Sequence, residues 1–225
     1  MVELLGENVD IVCKPLVQSI KITKRLELNA VEALRYILQE QYSKYINFGW
    51  SNCNKLFKSD IIKNVRYLPD EKMGEDFSFS WKAFLNAKKI AFSGKKTYNY
   101  RIHKISVTRS RFDDRHRTLL LVCDRFMDYV KNNNIDLLEE AYYFKVARLK
   151  RLISYARKDK NINFVKKYSN ELKKIQMQVY KNKNANFKMK FSCFLHANFY
   201  ILLYARVRLK IFLKDSVVLL TKKFM

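Results

Sequence analysis

Four glycines and two prolines in 225 residues leave too little turn chemistry for a β-sandwich or barrel, whose strand ends consume such residues. A chain this short of breakers is expected to be mostly helical. Its apolar fraction of 48%, with 14% aromatic residues, suffices for a buried core at this length and sets aside a disordered chain. Cys13, Cys53, Cys123 and Cys193 stand far apart with no CxxC pair, and His103, His116 and His196 form no HExxH or comparable spacing. A reducing compartment and no structural metal are expected. The N-terminal MVELLGENVDIVC carries acids where a secretory leader needs cations, and the longest uncharged run, residues 191–205, is shorter than the ~20 apolar residues that span a bilayer. The expectation is a cytoplasmic chain without a transmembrane helix.

The formal net charge of +24 invites a nucleic-acid reading, because clustered Lys and Arg release counterions from phosphates. Yet Lys, Asn, Ile, Phe and Tyr are abundant together, as an AT-rich coding sequence yields, and much of the Lys excess is spread along solvated faces. Nucleic acid is therefore not the expected partner. The excess is uneven: residues 181–225 hold ten Lys or Arg against the single acid Asp215. There Lys188, Lys190, Arg206, Arg208 and Lys210 flank or interleave with Phe191, Phe194, Leu195, Phe199, Ile201 and Leu202, the pattern of helices lying on an anionic membrane. Packing of the same residues into a core is the alternative.

Along the chain, VDIVC (9–13) reads as a short buried strand, followed by an extended polar stretch to Leu28. Asn29 with Glu32 forms a capping-box pattern, and Val31, Leu34, Ile37 and Leu38 give the following helix one apolar face. FGWSNCNKLF (48–57) reads as a loop leading to a short helix at Ser59–Ile62, and residues 65–76 as a second loop. From Asp76, Phe77, Trp81, Phe84 and Leu85 recur at helical spacing, with Lys88 and Lys89 at the negative end and Trp81 toward the core. KIAFS and TYNYRI alternate as paired strands. Beyond Ser110 three segments have helical periodicity, the clearest stripe being Leu119, Val122, Cys123, Phe126 and Val130, with polar joints at 132–134 and 158–161.

The ordered run of Trp50, Asn54-Lys55-Leu56-Phe57, Gly74-Glu75-Asp76-Phe77, AKKIAF and YNYRIHKISVT, within residues 48–108, resembles the C-terminal half of family-2 nucleotide-sugar glycosyltransferases of the GT-A fold. Members of that family acting in bacterial capsule and lipopolysaccharide synthesis show an NKLY segment, an ED pair opening a helix and a YxYR…S strand in this order. The resemblance implies an inverting transfer of sugar from a nucleotide sugar to a glycan or lipid-linked acceptor. It assigns Asp76 as the base and Glu75 as its supporting partner, with Trp50, Asn54, Lys55, Arg101 and His103 as substrate contacts. A helix N-terminus keeps one carboxylate ionised while its like-charged neighbour and burial push a pKa up, which suits a base. Helix capping by both acids is the alternative.

The family's DxD pair, which holds a divalent metal on the donor diphosphate, has no counterpart, since Asp113 and Asp114 are adjacent and follow polar TRSRF. The chain thus reads as an acceptor half without its donor half, inactive alone, with Mg²⁺ or Mn²⁺ expected only when that half is supplied. The fold expectation is α/β and mostly helical. It comprises a partial GT-A-like domain with a small sheet (1–110), a helical extension (111–184) and a basic amphipathic tail (185–225) that could place the protein on the inner face of the plasma membrane. Non-catalytic membrane-surface scaffolding by such a remnant, and nucleic-acid binding, are the alternative functions.

Overall fold

In the computed structural model, residues 5, 8–18, 25–39, 46–92, 94, 112–183 and 185–209 are described. The chain is mostly helical with a small mixed sheet, and it divides into two compact units, residues 1–109 with 114–141, and residues 110–113 with 142–225.

The first unit is built on strand β1 (Ile11–Cys13), whose three residues are all buried. It pairs in parallel with β6 (Ile90–Phe92), also fully buried, and antiparallel with β5 (Lys55–Phe57). The edge strand β3 (Leu26–Leu28) runs antiparallel to β6, giving the order β3-β6-β1-β5. The two central strands read as unbroken apolar runs because both faces are covered, whereas β3 is largely exposed. A separate pair joins β2 (Val17–Gln18) to β4 (Ile46–Asn47).

Helix α1 (Ala30–Gln39) begins at the expected capping box. Asn29 Oδ1 accepts the Glu32 N–H at 3.0 Å, and Glu32 Oε2 accepts the Asn29 N–H at 3.0 Å. Its buried face is Ala33, Leu34, Ile37 and Leu38, with Ala33 taking the place expected of Val31. Helices α2 (Ser59–Ile62) and α3 (Glu75–Asn86) follow, and Phe77, Trp81 and Phe84 of α3 are buried as the spacing required. Phe77 and Trp81 meet Phe126 of α4 (Asp114–Asn132) at ring separations of 5.2 and 5.6 Å, and the whole expected stripe from Leu119 to Val130 is buried.

Two local expectations give way. Residues 48–57 contain strand β5 as well as a turn. Helix α3 stops at Asn86, so Lys88 and Lys89 lie beyond its last turn. Their N–H groups donate instead to Asp10 Oδ2 at 2.7 and 3.3 Å, which docks the end of α3 onto the start of β1. The strand expected over TYNYRI lies outside the described residues.

The second unit contains the body of α5 (Leu138–Lys158), α6 (Ile162–Lys181), α7 (Phe187–Asn198) and a helical segment over 200–209. Asn161 and Asn186 cap α6 and α7 by accepting the N–H groups of Phe164 and Met189. Among the described residues no helix is long and apolar enough to cross a membrane.

Candidate active site

The site is set by how α3 begins. Gly74 holds the N-cap position with φ of +89°, a left-handed conformation open to glycine at little cost. A Cβ there would also come within 2.9 Å of Leu119 Cδ1 on α4. The left-handed backbone is what calls for glycine here, with Leu119 having to give way to any larger residue, and the two acids after it are the first residues of the helix.

Asp76 does not cap that helix. Its Oδ2 accepts from Ser51 Oγ at 3.1 Å and its Oδ1 from Asn52 Nδ2 at 3.3 Å, both partners lying in the turn before β5. The second Asn52 N–H donates to the Tyr67 hydroxyl at 2.9 Å. Ser80 Oγ, one helical turn beyond Asp76, sits 2.7 Å from Trp50 O and 2.6 Å from Asn52 Oδ1, so its proton ties the turn to α3. Tyr67 is half exposed and stacks on Phe79 at 4.9 Å and 20°, and Phe79 in turn meets Phe57 edge to face. A half-buried carboxylate, two amide and hydroxyl donors and an exposed aromatic ring thus share one corner of the first unit.

Glu75 differs from its neighbour. Burial pushes its carboxyl above the ordinary glutamate range, opposed by the Glu75 and Gly74 N–H groups and reinforced by the charges of Asp76 and Glu71. Glu71 is itself 3% exposed, with Oε1 accepting from Arg125 at 2.7 Å and Oε2 buried without a hydrogen bond. Arg125 also forks onto Asp70 at 3.0 and 2.7 Å, which clamps the 70–71 loop to α4 and holds the Asp70 carboxyl below its usual range.

The sequence-assigned contacts separate. Trp50 is partly buried and meets Phe77 edge to face at 6.3 Å, close to the carboxylate corner. Asn54 is 1% exposed, and its amide donates to the carbonyls of Lys14 and Phe48. Lys55 Nζ donates to the carbonyls of Gly49 and Ser51 and to Asn54 Oδ1. These two side chains hold the 48–55 turn in shape, and through Ser51 they position Asp76. Arg101 and His103 lie outside the described residues. Trp81 packs in the core against Phe126 and Tyr129. Sequence reasoning missed Ser51, Asn52 and Tyr67. The first two lie between Trp50 and Asn54, at positions to which the resemblance assigns no role, where only the Ser-Asn pairing hinted at side-chain donors.

The second unit has its own half-buried histidine. His196 Nδ1 donates to Ser192 O at 2.8 Å, which leaves Nε2 to accept from Arg157 at 3.0 Å. Burial lowers the His196 pKa to about 4, while burial raises the Cys193 thiol to about 11 against the pull of Lys150. Cys193 is thereby kept as an inert thiol. None of the four cysteines forms a disulfide, and Cys53 alone of the four is exposed. Among the described residues no group of three or more His, Cys, Asp or Glu is placed to hold a metal ion. In the comparisons with known proteins no family model matches the sequence, and no curated protein matches it.

Proposed function

We propose that the corner formed by residues 50–54, Tyr67 and the start of α3 is the acceptor side of an inverting, nucleotide-sugar-dependent glycosyltransferase of cell-surface polysaccharide synthesis. The observation that supports it is the bonding of Asp76. Both of its hydrogen bonds come from side chains of the neighbouring turn, and neither from a backbone N–H of its own helix. A capping acid would do the reverse. In this reading the acceptor hydroxyl passes its proton to Asp76 as its oxygen bonds to the anomeric carbon. The nucleoside diphosphate leaves from the opposite face with the electron pair of the broken C–O bond.

Ser51 and Asn52 aim the carboxylate. Tyr67 and Trp50 offer apolar ring faces to the sugar, and Glu75 supports the acceptor. Burial raises the Glu75 carboxyl above its ordinary range, which suits a group that meets the acceptor as a hydrogen-bond partner. The nucleotide sugar and any Mg²⁺ or Mn²⁺ on its diphosphate are held, on this reading, by a donor-binding polypeptide, and the 225-residue chain alone does not turn over nucleotide sugars.

Cys53 provides the test, because its Sγ lies 3.3 Å from Ser51 Oγ and the other three thiols are buried. Capsule or lipopolysaccharide oligosaccharides should slow its reaction with a thiol reagent, and Asp76→Asn should retain that protection. Unchanged Cys53 reactivity across such a panel would argue against an acceptor site. A second reading, a non-catalytic protein of the membrane surface, draws on the exposed apolar faces of α7 and 200–209.

A further inference from the structure

Helix α7 is apolar on two sides. One side, Met189, Cys193 and Ala197, is buried in the second unit, and Asn198 Nδ2 fixes the helix to Gln176 Oε1 of α6 at 3.2 Å. The other side presents Phe187, Phe191 and Phe194, spaced at 3.6-residue periodicity and all exposed, Phe187 to 80%. That periodicity sets Lys188 on one margin of the phenylalanine stripe and Lys190 on the other. The helical segment over 200–209 repeats the plan. Ile201, Leu202 and Leu209 form its exposed apolar face, with Leu202 65% exposed, and Arg206 and Arg208 border it on opposite sides. Tyr204 donates to Lys160 O at 3.1 Å and so holds the inner side of this segment against the α5–α6 turn. Phe199 packs on Phe194 at 5.5 Å and joins the two stripes.

A contiguous exposed apolar stripe bordered by polar residues marks an interaction surface. Charge decides what covers this one. No acidic residue occurs between Glu171 and Asp215, so the charged side chains that these two helical segments themselves contribute are all cationic. A second copy of this chain would bring the same cations against their own kind. Nucleic acid would match the charge but would leave Ile201, Leu202 and Leu209 facing water, because aliphatic side chains give no base stacking. An anionic bilayer answers both requirements: acyl chains take the Phe and Leu side chains, and lipid phosphates take the flanking Lys and Arg.

We propose that the outer faces of α7 and 200–209 dock this chain onto an anionic lipid surface, with both helices lying in the interface. This inference does not depend on the role of Asp76. It is tested by flotation of the full chain with vesicles of phosphatidylcholine alone and of equal parts phosphatidylcholine and phosphatidylglycerol, at low and high salt. The chain should float with the anionic vesicles, should float little with the neutral ones, and should be released by salt. Lys188→Gln and Lys190→Gln should each weaken binding about fivefold. Phe187→Ser and Phe191→Ser should each weaken it about tenfold or more. Phe187, Lys188 and Phe191 are exposed and Lys190 partly so, and an unchanged melting temperature verifies that the variants fold. Equal flotation with both vesicle types, or flotation indifferent to both pairs of substitutions, would overturn the proposal. So would a dimer that the phenylalanine substitutions dissolve, or single-stranded DNA binding that they abolish while flotation persists.

Discussion

Gly74 and Asp76 show how one short stretch carries both a structural and a chemical demand. The left-handed backbone at Gly74 and the approach of Leu119 mean that Gly74→Ala should cost about 1–2 kcal/mol from backbone strain alone, with the displacement of Leu119 added to it. Chemical denaturation of the variant checks this, and a loss well below 1 kcal/mol would mean that α3 can start in another way. The glycine leaves a helix N-terminus without a side-chain cap, yet Asp76 turns away from that N-terminus toward Ser51 and Asn52. Sequence reasoning found the acid pair because adjacent carboxylates opening a helix stand out in a basic chain. It could not find Ser51, Asn52 or Tyr67, whose relation to Asp76 is created by a contact across fifteen to twenty-five positions.

Among the elements, those with local codes were legible. The Asn29–Glu32 box, the short helix Ser59–Ile62 and the stripe of α4 follow from neighbouring residues alone, and the polar joints at 132–134 and 158–161 end their helices in the same manner. At each joint a residue takes positive φ, Asn134 at 50° and Lys160 at 62°. Next to each the chain closes back, Ile135 N–H onto Val130 O and Asn161 N–H onto Ala156 O, both at 2.9 Å, which is the Schellman arrangement. Asparagine tolerates that conformation and lysine does not, so Lys160→Gly should stabilise the chain by about 1 kcal/mol, read as a raised melting temperature. A destabilised Lys160→Gly would show that the lysine side chain contributes more than its backbone strain costs. Strand β5 was not legible, because three residues with one buried position give no alternation to count. Its pairing with β1 comes from the sheet. The end of α3 was misplaced for a related reason: the acid that takes the Lys88 N–H beyond it, Asp10, lies seventy-eight residues before that lysine.

At the scale of the whole molecule, charge and pH act on the two units differently. Residues 172–214 hold ten Lys or Arg and no acid, and the second unit also sets a half-buried His196 against Arg157. An unfolded histidine takes up its proton near pH 6.5, whereas burial, with Arg157 and Lys150 adding to it, holds His196 neutral down to about 4. Between these values the unfolded chain binds the proton and the folded chain does not. Stability present above pH 6.5 is therefore lost as the pH falls toward 4, on the order of 2–3 kcal/mol. Melting curves across that window should show the loss, and His196→Gln should flatten it. An unchanged slope in the variant would assign acid sensitivity elsewhere.

If Asp76 is the base, sugar transfer depends on its carboxylate. With the chain supplied with a donor-binding polypeptide, a nucleotide sugar and an acceptor glycan, Asp76→Asn should lose transfer by about 10²–10⁴-fold while its melting temperature holds. Asparagine remains able to cap a helix and to hydrogen-bond Ser51, so stability and chemistry separate in this variant. The account is contradicted if Asp76→Asn transfers sugar at the unsubstituted rate while Asp76→Ala costs about 1 kcal/mol of stability, the signature of a helix cap.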